Sequence, residues 1–278
     1  MTLLQPLRQS VWIPSLAGSK TLTLTGAALL LISCLTLVLM VLDPRLFQGV
    51  SVWSKPWKFQ LSTGVFLLNL AYFMSFLPAI KRHGAAAKFI VWGCMIATVY
   101  EIGYITLQGA LGQASHFNLS SPMSGTLYTL MGIGAMMLTT AALVLGVLVL
   151  RHSKGSLTQA MRHAIGWGLV LSFFLGSAFG GYLGGKSATG HWVGGAATDA
   201  GGWLFFNWSR TGGDLRVAHF FGLHAMQVIP LIALLLASPS LMKLSPTAQI
   251  RGVWLTCALY TAWCVWTFVQ AVRGQPFM

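Results

Sequence analysis

Seven stretches of this chain, at about 22–42, 58–79, 88–112, 125–150, 163–184, 216–237 and 250–272, read as membrane-crossing helices. About 20 apolar residues at 1.5 Å rise span the ~30 Å hydrocarbon layer of a bilayer. Lipid offers the backbone no hydrogen-bond partner, so each run must satisfy its own amides and carbonyls as a helix. The ~10-residue alternating segments of a β-barrel are absent. The expected fold class is therefore all-α integral membrane, a seven-transmembrane-helix bundle forming one domain over residues 1–278. Composition agrees: 55% of residues are hydrophobic and 8% charged, with mean hydropathy +0.72, whereas a soluble domain carries about 25% charged residues. The first run is longer than a signal-peptide core and ends in Asp43-Pro44 without a small-x-small site, so it reads as a retained helix.

The net charge of +13 does not point to nucleic acid. The basic residues are spread among the ends of apolar runs, where Lys and Arg snorkel to the interface. They are also asymmetric. One side collects Arg8, Lys20, Lys81, Arg82, Lys88, Arg151, Lys154, Arg162, Lys243 and Arg251 with no acid. The other has Arg45, Lys55, Lys58, Lys186, Arg210, Arg216 and Arg273 alongside Asp43, Asp199 and Asp214. The positive-inside rule makes the first side cytoplasmic, with the N-terminus inside and the C-terminus periplasmic. The longest loop, about 185–215, then lies on the outer face, where its Gly and Trp residues suit a folded cap. Cys34, Cys94, Cys257 and Cys264 all fall inside apolar runs and read as structural membrane thiols. His83, His152 and His163 stand beside cytoplasmic basic residues and read as solvated or lipid-facing. The Asn-x-Ser acceptors at Asn118 and Asn207 read as incidental.

Glu101 is the only acidic residue inside an apolar run. A carboxylate at membrane depth costs roughly 2.5–3.5 kcal/mol on the mildest insertion scale, so it must be protonated, paired or facing a polar cavity. Thr98, Glu101, Tyr104, Gln108, Gly112 and Ser115 recur at three- and four-residue steps on one face of the third span. The sixth span supplies candidate partners. By helical rise, His224 lies at a depth similar to Glu101, Gln227 one turn deeper and His219 near the outer end. The expected site thus has a deep layer of Glu101, Tyr104, His224 and Gln227. Above it lies a shallow layer of His116, His191, His219, Arg210 and Arg216, with Lys55 and Lys58 adding a cationic rim. Both layers require the third and sixth spans to abut. His219 and His224 are five residues apart, roughly 140° around the helix, and cannot chelate one ion as an HxxxH pair does. Asp214, after Gly212-Gly213, suits the N-cap of the sixth span. In the fifth span, Gly176, Gly180 and Gly184 suit close helix packing.

The strings QGALGQASHFN and WSRTGGDLRVAHFFGLHAMQ resemble signatures of a family of bacterial multi-pass membrane proteins, with the likeness running from WSKPWKF through the sixth span. Ser115, His116, Phe117, Asn118, Gly213, Asp214, Leu215, Arg216, His219, His224 and Gln227 carry it. The resemblance implies the bacterial inner membrane and no particular activity. The HxxxH pair of ceramidase-type membrane hydrolases is missing.

Three functions compete. The first is a redox protein holding haem b or a divalent transition metal, with His224, His219 or His116 as ligands, Arg210, Arg216 and Lys58 meeting propionates, Glu101 with Tyr104 carrying a proton, Gln108 and Gln227 as further residues of the site, and quinone as a candidate partner. The second is a metal-dependent hydrolase with the metal on His116, His191 and His219. The third is a proton-coupled transporter or binding protein for a small anion, entered through the cationic rim. The lipid bilayer is a partner in all three.

Overall fold

A computed structural model describes residues 16–153, 155–186, 190–238 and 242–277. Seven long helices follow one another among these residues: α1 Lys20–Leu42, α2 Ser54–Met74, α3 Ala85–Ala110, α4 Pro122–His152, α5 Gln159–Gly184, α6 Leu215–Leu236 and α7 Pro246–Val272. All but α2 are apolar enough, as well as long enough, to cross a membrane, and the chain is a multi-pass, all-α membrane protein. The run expected at 58–79 exists as α2, but Lys55, Lys58, Gln60 and Asn69 lower its apolar character.

The helices begin one to four residues before the expected boundaries because polar caps precede the apolar runs. Ser19, Ser121, Thr158, Asp214 and Ser245 each accept a hydrogen bond from a backbone amide of the first turn, satisfying one of the donors a helix start leaves open. Pro122 and Pro246 occupy first helical positions, where the missing amide costs nothing.

Consecutive helices pack side by side, with α5 against α6 the most extensive interface and α7 closing on both. Small residues set these approaches. A Cβ at Gly176 would lie 2.6 Å from Leu223 Cδ2, and one at Gly222 would lie 2.9 Å from the Leu175 carbonyl carbon. Polar side chains tie helices together at depth. Thr36 Oγ1 donates to Gln60 Oε1 at 2.7 Å, and Gln60 Nε2 donates to Thr106 Oγ1 at 3.2 Å, joining α1, α2 and α3. Ser172 Oγ donates to Leu223 O and accepts from Met226 N, both at 2.9 Å, in the turn before Pro230. Cys94, Cys257 and Cys264 are buried, Cys34 is exposed, and all four are free thiols. His163 is not simply solvated: its ring meets Trp254 edge-on at 5.8 Å and its Nδ1 is buried.

One end of the bundle carries a cap. It combines a hairpin of β1 (Leu46–Phe47) and β2 (Val50–Ser51) with the loop after α5. That loop holds β3 (Trp192–Val193), a 3₁₀ turn at Leu204–Phe206 and β4 (Gly213–Asp214), which pairs antiparallel with β3. Asp199 N and Thr198 Oγ1 both donate to Gln48 O, docking loop on hairpin. The opposite end holds the basic turns, where Arg82 donates to Ala17 O and Arg162 to Leu150 O. Arg8 and Lys154, counted on that basic side, lie outside the described residues.

Candidate functional site

The third span turns its polar face inward, as the stripe requires. Thr98, Glu101, Tyr104 and Gln108 are all buried. The helix they face is α4, however, and not α6. α3 packs on α4 and α2, while α6 packs on α5 and α7. Glu101 lies against Gly134 of α4, where an added Cβ would stand 2.6 Å from its Oε1. Tyr104 packs with Ile105 and Met131, and its hydroxyl accepts from Gln108 Nε2 at 2.9 Å. His224 instead packs against Phe220 of its own helix, with ring centroids 4.1 Å apart and planes tilted by 45°. Among the described residues, no hydrogen bond, ion pair or ring contact joins Glu101 or Tyr104 to His224 or Gln227. The deep layer is therefore not one site. Equal depth on two helices does not make them neighbours, and α4 and α5 take the faces that the sequence left unassigned. Thr98 Oγ1, Glu101 Oε1 and Gln108 Oε1 remain buried without a partner among the described residues.

The shallow layer does assemble, at the cap end. His116 lies within electrostatic reach of Lys55, His219 and His191. Its ring sits 5.5 Å from Phe59 and 5.9 Å from Tyr128, and Phe117 beside it adopts φ 57°. His191 is buried and its Nε2 lies 3.2 Å from Asp199 Oδ1. Because a carboxylate only accepts, that nitrogen carries the proton. Arg216 completes the network. It donates to Asp199 Oδ1 at 2.8 Å, to Asp214 Oδ2 at 2.7 Å and to Asn207 O at 2.7 Å. Asp214 accepts from the Arg216 amide at 3.0 Å, which is the N-cap role expected of it.

Burial works to raise the Asp199 carboxyl, but the His191 hydrogen bond and Arg216 outweigh it and hold the group at about 2. Burial lowers His191 below its ordinary 6.5, opposed by Asp199 and assisted by Arg216. His116 is pushed well below the usual histidine range by desolvation first and then by Lys55, His219 and His191. Both imidazoles are neutral at pH 7.

The segment WSKPWKF delivers two lysines here, because α2 begins at Ser54 directly beneath the cap. Lys58 Nζ donates to Asn207 Oδ1 at 2.9 Å and to Phe206 O at 3.2 Å. Ser54 Oγ donates to the same Asn207 Oδ1 at 3.2 Å. Lys55, half-buried, has Phe59 under its ammonium at 5.9 Å. It makes no hydrogen bond or ion pair among the described residues.

Asn207 is thus the hub that sequence reasoning missed. Its side chain takes Lys58 and Ser54, and its carbonyl takes Arg216. It adopts φ 59°, ψ 32°, a left-handed conformation that Asn tolerates better than most residues. The only signal in the sequence is a polar residue in an aromatic run, which the glycosylation motif obscured. Asp199 was also missed as an ion-pair partner. Arg210 does not belong to the site: it is exposed and without a polar partner among the described residues.

The three histidines named for a metal each face a different duty. His191 bonds Asp199, His116 Nδ1 lies 3.2 Å from Ser115 Oγ, and His219 Nδ1 donates to Gly176 O at 3.0 Å. The His219 ring fills the space over Gly180, where a Cβ would stand 2.7 Å from Cε1. Among the described residues, no three His, Cys, Asp or Glu side chains converge to hold a metal ion.

Charge bookkeeping singles out the lysines. The chain has four side-chain carboxylates. Asp43 pairs with Arg45, Asp199 and Asp214 with Arg216, and Glu101 lies within α3 against α4. Lys55 and Lys58 make no ion pair of their own among the described residues; with the His116 and His191 imidazoles neutral, Arg216, Lys55 and Lys58 set three positive charges against the two negative charges of Asp199 and Asp214, leaving an excess of one. Trp192 Nε1, on the residue next to His191, is a further buried donor without an acceptor. Comparison with protein-family models, curated proteins and solved structures finds no match to this chain.

Proposed function

We propose that the protein is a bacterial inner-membrane binding or transport protein for a small carboxylate or phosphate, with a seven-span topology and its anion site on the periplasmic face. The observation that carries this reading is the set Lys55, Lys58 and Arg216, whose three positive charges exceed the two negative charges of Asp199 and Asp214 by one, with Lys55 making no hydrogen bond or ion pair among the described residues. An excess positive charge held in a half-buried cluster is costly, and a bound anion removes that cost. Charge-assisted hydrogen bonds from lysine to a carboxylate or phosphate are among the stronger ones a site can offer. The start of α2 adds its own unpaired amides, since Trp53 makes no side-chain cap, and helix N-termini favour anions. Glu101, buried and unpartnered at Oε1, is the group suited to hold a coupled proton.

The test is anion binding to detergent-purified protein. Phosphate and acetate are expected to raise the thermal midpoint, and Lys55→Gln with Lys58→Gln is expected to abolish that rise while leaving the protein folded. An equal rise in the double variant removes the reading.

A second reading, a haem or metal redox centre, is favoured by one feature. Because Nδ1 of His219 donates to Gly176 O, its Nε2 presents a lone pair, and ligating histidines commonly have their other nitrogen oriented this way. The absorption spectrum and metal content of the purified protein decide it.

A further inference from the structure

Beside the lysine pair, the cap leaves a cleft of about 310 Å³ on the side of the bundle formed by α1 and the β1–β2 hairpin. Its wall is divided by chemistry. Met40, Leu46, Val50, Trp57 and Phe205 line it with apolar surface, while Ser51, Ser54 and Asn207 supply the polar part. Ser54 and Asn207 are the two residues hydrogen-bonded to each other beside Lys58, so the Lys58 ammonium lies one hydrogen bond behind the polar wall. At the apolar end the cleft continues onto lipid-type surface: Val41 is 84% exposed, Leu42 71% and Leu46 67%. A purely aqueous ion would gain nothing from these side chains, and a purely apolar ligand would leave the net positive charge behind the polar wall unanswered.

We infer that the ligand is an amphipathic anion, an acidic head on a hydrocarbon chain, that enters sideways from the adjoining leaflet through the cleft between α1, the β1–β2 hairpin and Phe205. The head sits toward Ser54, Asn207 and Lys58, and the chain lies over Met40, Leu46, Val50 and Trp57. Burial of each methylene adds to affinity, and the excess positive charge of the Arg216, Lys55 and Lys58 cluster over Asp199 and Asp214 selects an acidic head over a neutral one. This inference rests on the anion reading above and names the ligand class for that site.

The test uses the full chain in phosphatidylcholine nanodiscs, with dodecyl phosphate, laurate, dodecanol and inorganic phosphate as probes. Dodecyl phosphate or laurate is expected to bind at least tenfold more tightly than inorganic phosphate and at least tenfold more tightly than dodecanol. Val50→Trp and, separately, Met40→Trp fill the cleft and are expected to erase the advantage of the chain while inorganic phosphate binds as before. Two variants on different elements guard against one that misfolds. If inorganic phosphate binds as well as the alkyl anions and neither tryptophan matters, the lateral ligand is overturned and the small-anion reading stands. If no anion binds in any form, both are overturned together. If dodecanol matches the alkyl anions, the cleft is a lipid groove and the assignment of an acidic head is wrong.

Discussion

Asn207 shows how much a single residue carries here. Its amide oxygen takes an ammonium and a hydroxyl, and its carbonyl takes a guanidinium. Asn207→Ala leaves Lys58 and Ser54 without that acceptor, which costs about 1–3 kcal/mol for groups this enclosed, and the strained backbone is then held by a less tolerant residue. Expected outcomes are a lower unfolding midpoint and loss of anion binding, read by thermal denaturation with and without phosphate. His116, His191 and Asp199 make the cap sensitive to acid, with a sign that follows from their shifts. Both histidines are lowered in the fold, so the unfolded chain binds their protons first. Their stabilisation is complete above pH 6.5 and is lost as pH falls below it. Asp199, lowered from 3.8 to about 2, contributes above pH 3.8 and loses its contribution between those values. That shift corresponds to roughly 2 kcal/mol. The unfolding midpoint should fall between pH 7.5 and 5 and drop again near pH 3; a flat profile across both windows would contradict the network. Asp199→Asn should lower the pH 7 midpoint and reduce the drop near pH 3, to which Asp43 also contributes through Arg45 and Trp53.

The elements are joined by small residues and isolated polar contacts, and the two differ in weight. The signature GGDLR owes its glycines to passage of the chain: a Cβ on Gly213 would strike the carbonyl of Ala271 at the end of α7, and one on Gly212 would strike the backbone at Gly194. Neither obstacle is the tip of a flexible side chain, so Gly213→Ala should destabilise by about 1–3 kcal/mol, toward the upper end of that overpacking range, and detach α7 from the cap. Gly180→Ala presses on the His219 ring and should loosen the α5–α6 interface by a similar amount. Gln60 bridges Thr36 and Thr106 across three helices, yet interhelical hydrogen bonds in membranes average about 0.6 kcal/mol. Gln60→Leu is therefore expected to shift the midpoint only slightly. Thermal unfolding of the three variants in one detergent ranks them, and Gln60→Leu proving the most damaging would overturn this weighting. The helices, the cap at Asp214 and the close-packing glycines of α5 were legible, because each depends on residues near in sequence, whereas the caps at Ser19, Ser121, Thr158 and Ser245 emerged only with the structure.

At the scale of the whole molecule, the fold separates a basic end from a cap end, and the proposed orientation places the cap in the periplasm. A phosphatase reporter fused at the C-terminus should be active and one fused after Arg82 inactive; the reverse pattern would invert the topology. Glu101→Gln should insert and fold normally, since it removes only a charge that Gly134 and the buried face of α3 do not neutralise. Apolar run length and the scarcity of carboxylates were sufficient to establish a multi-pass helical chain whose shallow polar layer gathers His116, His191, His219 and Arg216 at one end. Those properties follow from local composition and from depth along a helix axis, which the rise per residue measures directly. Which helices touch is a different quantity, since rotation about an axis and lateral order leave no mark on depth. Only the tertiary arrangement could separate Glu101 from His224, dismiss Arg210, and bring Asn207 and Arg216 onto the start of α2, far away in the chain.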